Sequence, residues 1–508
     1  MSPSSVVFHG LSFRYDTASA PLFENLSAHF TQGWTGVVGA NGAGKTTLLR
    51  LATGALAPTE GRVDISGHAI YCAQRTDEPQ AAFVQFVQAR DAETAQWRAR
   101  LGVAKDWPER WDTLSHGERK RAQIATALWQ RPHVLAIDEP TNHVDAEARA
   151  LIADALQAFD GCGLLVSHDR DLLDALCSQC LFVDPPTATM RPGTYTAGAD
   201  QAARERQQAV RQRKAVKHRH AGLLSADYFA SEAGRKEAAS HADRMRSKRR
   251  IGRKDHDAKE KIDRARITGK DARAGRLLRQ LAGRLGQTEA ELHETKVKKE
   301  HELGIWIPSA RSKRDFLFTL DAGEITLGTA RRLRFPTLCM PPDGHVAITG
   351  PNGSGKSTLV AAIIERLKLP EGRLTYVPQE VDLESSRCIA ERVLALGHDD
   401  LARVMTIVSR LNSRPERLME TDAPSHGEIR KILLALGIAR EPHLIVMDEP
   451  TNHMDLPSTE CLESALEGCP CGLLLVSHDM RFLKRLTTVR WHIESEEGGS
   501  RLTERAWR

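Results

Sequence analysis

Two hydrophobic patterns divide the chain. Toward each end, short unbroken apolar runs alternate with stretches of helical spacing. Thr35-Gly36-Val37-Val38, His133-Val134-Leu135-Ala136-Ile137 and Gly163-Leu164-Leu165-Val166 are runs of this kind. They recur as His345-Val346-Ala347-Ile348, His443-Leu444-Ile445-Val446-Met447 and Gly472-Leu473-Leu474-Leu475-Val476. An apolar run without polar alternation is buried on both faces, as in a strand inside a parallel sheet. Such strands separated by helices predict an α/β sandwich, made twice.

The middle obeys a different rule. No proline occurs between Gly193 and Ile307, and Ala, Arg, Lys, Gln and Glu, all good helix formers, dominate. Ala209, Val216 and Leu223 step by seven, and Leu278, Leu281, Leu285 and Leu292 fall at helical spacing. The pattern predicts two long antiparallel helices packed along an apolar seam, with Gly252 at the turn. A helix of ~45 residues would extend ~65–70 Å. Expected boundaries are therefore 1–195, 196–307 and 308–508.

Charge sharpens this division. The net charge of +5 conceals 28 Lys/Arg against 14 Asp/Glu in residues 201–300, so the remainder is acidic. A basic helical segment between two acidic domains points to a polyanionic partner. Its most basic stretch runs from Arg244 to Lys254. No stretch approaches the ~18–20 apolar residues of a membrane span, and Met1-Ser2-Pro3 leads into Val6-Val7-Phe8 without a secretory pattern. The nine scattered cysteines fit a reducing cytosol, so a cytoplasmic location is expected. Cys177-Ser178-Gln179-Cys180 falls in a helix-like stretch and lacks a second pair at zinc spacing.

The chemistry sits in motifs that also occur twice. Gly39-Ala40-Asn41-Gly42-Ala43-Gly44-Lys45-Thr46-Thr47 returns as Gly350-Pro351-Asn352-Gly353-Ser354-Gly355-Lys356-Ser357-Thr358. Glycines at this spacing let backbone N–H groups face a phosphate at a helix start. Lys45 and Lys356 would reach the β- and γ-phosphates, with Thr46 and Ser357 offering hydroxyls to Mg²⁺. Two apolar runs end in Asp138-Glu139 and Asp448-Glu449. The aspartates are candidate Mg²⁺ ligands and the glutamates candidate general bases. Ser167-His168-Asp169 and Ser477-His478-Asp479 each place a histidine 29 residues after the glutamate, where it can contact the γ-phosphate. Two ATP sites, each with Mg²⁺, are expected.

With these motifs the chain resembles the ATP-binding-cassette proteins. Leu114-Ser115-His116-Gly117-Glu118 and Pro424-Ser425-His426-Gly427-Glu428 match their signature, each with histidine at its commoner second glycine. Gln74 and Gln379 match the family's glutamine loop, which implies contact with nucleotide and Mg²⁺. Tyr15 fits the adenine-stacking aromatic, whereas the second copy reads Thr326-Leu327-Gly328. The resemblance implies head-to-tail pairing within one monomeric chain. Gly39–Thr47 would then face Ser425–Glu428, and Gly350–Thr358 would face Ser115–Glu118, with ATP clamped between.

Among such proteins the chain resembles the ABC-F family: cassette, helical hairpin, cassette, with Asp-Glu-Pro-Thr-Asn-His in both copies. It implies a ribosomal partner, the hairpin reaching rRNA, the P-site tRNA and the peptidyl-transferase centre. Arg244, Arg246, Lys248, Arg249, Arg250, Arg253 and Lys254 are the expected RNA contacts. Translation control and antibiotic resistance are both compatible with the pattern. The alternative is an ATPase subunit energising a separately encoded membrane transporter. DNA-repair and iron–sulfur cassettes require cysteine modules that the pattern lacks.

Overall fold

The unbroken apolar runs form strands because they are covered on both faces. Val134–Asp138, Cys162–Val166, Leu444–Asp448 and Gly472–Val476 are buried at every position. A computed structural model describes residues 4–142, 144–248, 271–294, 311–328, 331–370, 372–411, 426–452, 454–496 and 498–507. In its first half, the main sheet orders its strands Ala69–Cys72, Val134–Asp138, Cys162–Val166, Gly33–Gly39, Cys177–Asp184 and Thr187–Pro192. The second half repeats this as Leu374–Val377, Leu444–Asp448, Gly472–Val476, His345–Thr349, Val489–Glu496 and Gly499–Ala506. The last strand of each series is antiparallel and the others are parallel.

Register gathers the motifs. Asp138 and Val37 both pair with Val166, so three strands end at one edge. The glycine loop, the Asp-Glu pair and the Ser-His pair emerge there together, at the carboxyl ends where open α/β sheets bind ligands. Helix Lys45–Ala52 covers the sheet with Leu48, Leu49 and Leu51, each fully buried. Burying each such side chain contributes about 1.5–3 kcal/mol. Beyond it lies an antiparallel sheet of Phe23–Phe30, Val6–Phe13 and Glu60–Ile65, where Phe8 meets Phe30 edge-on at 5.3 Å. The second half fuses these layers: Arg332–Arg334 pair in parallel with Gly499–Arg501, giving one sheet of eight strands around Trp491.

One local expectation is corrected. Cys177 and Cys180 lie on a strand, not a helix; helix Arg170–Leu176 ends before them and Cys177–Asp184 pairs with Gly33–Gly39. Both thiols are buried.

The chain forms two units, residues 1–198 with 301–508, and residues 199–300. Helix Tyr195–Lys248 has 54 residues, so it extends about 80 Å. Within the smaller unit it meets helix Asp271–Glu294: His220 Nδ1 lies 3.0 Å from Thr288 Oγ1, and Arg219 lies 3.6 Å from Glu291. Val216, Leu281 and Thr288 are buried, while Ala209, Leu223, Leu285 and Leu292 are half-buried. The Leu278 side chain and Gly252 lie outside the described residues. No helix among the described residues is long and apolar enough to cross a membrane.

Leu281→Asp would put a carboxylate into this seam. The expected loss is about 2–4 kcal/mol, read as an earlier loss of far-ultraviolet helical signal on heating. An unchanged melting curve would mean that the leucine faces water.

Candidate functional site

Each glycine loop is shaped by two different demands. Gly42 and Gly353 have φ of 76° and 73°, with open space where a Cβ would stand. A phosphate can therefore approach the backbone closely there. Gly44 and Gly355 are also left-handed, but a Cβ there would stand 2.7 Å from Leu22 or Leu327. The helices that follow, Lys45–Ala52 and Lys356–Arg366, start without a side-chain cap. Their first N–H groups and dipole face the loop's concavity, which suits an anion. Lys45 Nζ donates to Gly39 O at 2.8 Å and Ala40 O at 3.1 Å; Lys356 Nζ donates to Gly350 O and Pro351 O, both at 2.9 Å. Burial lowers the pKa of both lysines, opposed by Glu139, Asp455 and Asp138 at the first and by Glu449, Asp448 and Asp145 at the second.

The hydroxyls and aspartates pair as the spacing predicts. Thr46 Oγ1 donates to Asp138 Oδ2 at 2.7 Å, and Tyr71 adds a second bond at 3.2 Å. Ser357 hydrogen-bonds to Asp448. Burial raises both carboxyl pKa values, and the hydroxyl bonds oppose it. Asp448 Oδ1 is buried without a hydrogen-bond partner among the described residues. An oxygen-only set with an unsatisfied carboxylate lobe fits a hard divalent cation such as Mg²⁺.

Glu139 and Glu449 sit at φ of 48° and 49°, a left-handed conformation costing about 1–3 kcal/mol for a side-chain-bearing residue. Their own N–H groups donate to Val166 O at 2.9 Å and Val476 O at 2.8 Å, which holds the turn. Both carboxylates receive the backbone N–H of the repeated histidine, at 3.1 Å from His168 and 3.2 Å from His478. The imidazoles then diverge. His168 Nε2 lies 3.0 Å from Glu139 Oε1, whereas His478 Nε2 donates to Asn352 Oδ1 at 3.0 Å and stands 3.4 Å from Glu449. Burial works to raise the Glu139 pKa, but His168 and Lys45 outweigh it and hold the group below the usual range. At Glu449 burial prevails over Lys356 and pushes the pKa to about 7. Burial, then Lys356 and Arg149, push His478 down to about 3, so it is neutral. The copies share a plan and differ in where the imidazole is held.

Asn352, Lys356, Ser357, Thr358, Gln379, Asp448, Glu449 and His478 line one cleft of about 490 Å³, with Gly353 and Gly355. Leu327, Gly328, Arg331 and Asn452 complete it, without an aromatic. In the first half, Tyr15 is 43% exposed and its hydroxyl lies 2.7 Å from Thr47 Oγ1, beside the glycine loop. Gln74 is exposed just beyond strand Ala69–Cys72. Ser115 caps helix His116–Trp129 in a reciprocal bond with Glu118, and Gly117 sits buried in its first turn. Every residue lining the cleft belongs to the second half, Ser115–Glu118 not being among them. Gly427 and Glu428 open helix His426–Ile438, while Ser425 lies outside the described residues. Arg244, Arg246 and Lys248 are on the long helix without described side chains; Arg249, Arg250, Arg253 and Lys254 lie outside the described residues.

Sequence reading passed over the groups that join the halves. The N–H of Asn41 donates to Asp455 Oδ2 at 2.7 Å. A signal existed, since Asp145 and Asp455 each follow the repeated Asn-His by the same interval. Arg170 forms a two-pronged ion pair with Glu463, at 6% and 1% exposure. Lys120, fully buried, donates to Ala73 O at 2.7 Å and Asp138 O at 3.3 Å. Its counterpart Arg430 donates to Glu449 O and Asn452 O. Each cation ties a signature helix to the end of the Asp-Glu strand.

Comparison with known proteins agrees with this geometry. The ABC transporter family matches residues 23–142 and 333–452. The ribosome protection protein VmlR of Bacillus subtilis is 29% identical over 93% of this chain and 84% of its own length. The tylosin resistance ATP-binding protein TlrC of Streptomyces fradiae is 29% identical over 98% of both chains. The energy-dependent translational throttle protein EttA of Escherichia coli K12 is 25% identical over 92% of this chain and 88% of its own. Among solved structures, the archaeal ribosome recycling factor aABCE1 superposes with a TM-score of 0.61 at 16% identity, over 98% of this chain and 90% of that one.

Removing one partner of a buried ion pair leaves an uncompensated charge. Arg170→Ala is expected to cost about 3–5 kcal/mol, measured by denaturant unfolding. A change below about 1 kcal/mol would place the pair in water.

Proposed function

We propose that the chain is a twin-cassette ATPase of the ABC-F type, and that it binds the ribosome with ATP at both loops and leaves after hydrolysis. The observation that carries this reading is the strongly basic segment, +14 over residues 201–300, set between the two repeats of the glycine loop and Asp-Glu motif. Relatives named for ribosome protection and for throttling translation support it.

At each site the loop N–H groups and the helix start receive the phosphates, with Lys45 or Lys356 turning from the loop carbonyls toward the β- and γ-oxygens. Gly39, Asn41, Gly42, Gly44 and Thr47, with Gly350, Asn352, Gly353, Gly355 and Thr358, form the two cradles. Tyr15 stacks on the base in the first. Thr46, Asp138 and Gln74, or Ser357, Asp448 and Gln379, would hold Mg²⁺, which neutralises charge on the transferred phosphoryl group. Glu139 and Glu449 orient the attacking water and take its proton, and His168 and His478 contact the γ-phosphate.

The signatures complete the sites crosswise. Ser115–Glu118 closes on the Lys356 loop and Ser425–Glu428 on the Lys45 loop, Ser115 exchanging its bond to Glu118 for one to phosphate. Hydrolysis removes the γ-phosphate that both halves share, and the clamp opens. The linker tip, from Arg244, Arg246 and Lys248 through Arg249, Arg250, Arg253 and Lys254, pairs with phosphates of rRNA and P-site tRNA near the peptidyl-transferase centre. Such binding is strong and salt-sensitive.

The test uses Glu139→Gln with Glu449→Gln. Turnover is expected to fall at least about 100-fold with ATP binding retained, because the phosphate ligands remain and the bases do not. This protein should sediment with ribosomes only when ATP is present. Protein that stays in the supernatant with ATP would overturn the ribosomal reading and turn attention to a separately encoded membrane partner.

A further inference from the structure

Duplication gives each residue between the halves a counterpart, and several counterparts do not match. Asp145 answers to Asp455 and His168 to His478, but Arg149 answers to Thr459, Arg170 to Met480 and Glu463 to Ala153. The differences fall on the groups that cross the interface.

Arg149, on helix Ala146–Gln157, donates from Nη1 to the carbonyl of His478 at 3.2 Å. Its Nε lies 3.2 Å from Asp169. Arg170 reaches Asp479 Oδ2 at 3.3 Å while its other contacts go to Glu463. Two guanidinium groups of the first half thus hold His478-Asp479 of the second, one by backbone and one by carboxylate. Nothing reciprocal occurs among the described residues. Thr459 Oγ1 donates to Asp455 O in its own half, and Met480 carries no charge. Arg481 contacts Asp171, Asp174 and Thr196, beyond the repeated histidine rather than on it. The imidazoles differ accordingly: the held His478 reaches across to Asn352 of the glycine loop, while His168 stays on Glu139.

We infer that Arg149 and Arg170 are positioning residues for the second ATP site, acting in trans through His478-Asp479, so that hydrolysis at the Lys356 loop depends on the first half in a way that the Lys45 loop does not reciprocate. A histidine backbone fixed from the opposite half places its imidazole only while the halves are apposed. The second site is therefore the one whose chemistry senses closure. The inference rests on the assignment of Glu139 and Glu449 as bases.

Single-site proteins separate the two ideas. Glu139→Gln leaves the Lys356 site to turn over and Glu449→Gln leaves the Lys45 site, each read as single-turnover hydrolysis of pre-bound ATP. If neither single substitution slows its own phase, the base assignment fails, whatever the arginines do. Arg149→Gln is then placed in each background. The expected result is a fall of about ten-fold, equivalent to about 1.4 kcal/mol, with Glu139→Gln, and under about two-fold with Glu449→Gln. ATP affinity should be unchanged in both, and Arg149→Lys should restore part of the lost rate. Asp169 keeps its capping bond from Leu172 N–H at 3.1 Å, so the first-half histidine segment does not need Arg149 to stay folded. A second variant, Arg170→Met with Glu463→Ala, installs the counterpart residues and leaves neither of the two as an unpaired charge. It should show the same one-sided loss. Equal losses in both backgrounds, or no loss in either, would overturn the inference.

Discussion

The carboxylate of Asp455 ties the second half to the glycine loop of the first. One oxygen caps helix Leu456–Leu466 by accepting from Ser458 N–H at 2.9 Å, and the other accepts from Asn41 in the opposite glycine loop at 2.7 Å. Burial works to raise its pKa, but the Ser458 and Asn41 bonds and Lys431 outweigh it and keep the group charged. A buried anion bonded on both sides is costly to leave half-satisfied. The first nucleotide loop and the helix after the second Asp-Glu strand therefore move as one body. On the proposed function, phosphate arriving at Asn41 would be felt in the other half through this side chain.

Around that link, further polar contacts cross between the halves. Arg170–Glu463, Arg149–His478, Tyr195–Glu460 and Arg481–Asp174 are among them, and each is a directional contact with a defined partner. Directional contacts have made and broken states, where an apolar seam would only slide. This suits halves that close on a ligand and part when it is cleaved. It also admits asymmetry, because exchanging an arginine and its glutamate together for methionine and alanine removes a contact without leaving either of them as an unpaired buried charge. The strained glutamates and parallel strands are common to both halves, while the arginine contacts to the repeated histidine segment are one-sided.

Much of this was legible because it is local. A glycine loop needs glycines at fixed offsets, and a buried parallel strand needs an unbroken apolar run, so both sheets and both glycine loops could be read directly. Cys177-x-x-Cys180 was misread because a short helix ends immediately before it; where a helix stops is set by what its successor pairs with, here Gly33–Gly39. Lys120 was invisible for another reason. A lysine in a charged stretch reads as surface, and only the fold reveals carbonyls at Ala73 and Asp138 waiting for an ammonium group. Asp455 and Arg149 act across more than 300 positions of sequence, where no local pattern reaches. The linker's seam was visible in its leucines, since helical spacing survives in any sequence that must bury one face.

Crosswise completion of the ATP sites is the claim on which the rest turns. Its most direct measurement is nucleotide retention by protein carrying Glu139→Gln, Glu449→Gln and Lys45→Ala, which leaves only the Lys356 loop to hold ATP. Retention is measured with and without Ser115→Arg, a change in the opposite half. Loss of the retained nucleotide on introducing the arginine, with the fold intact by circular dichroism, is the predicted result. Retention unaffected by Ser115→Arg would mean that the second site is complete within its own half, and the clamp account would fail.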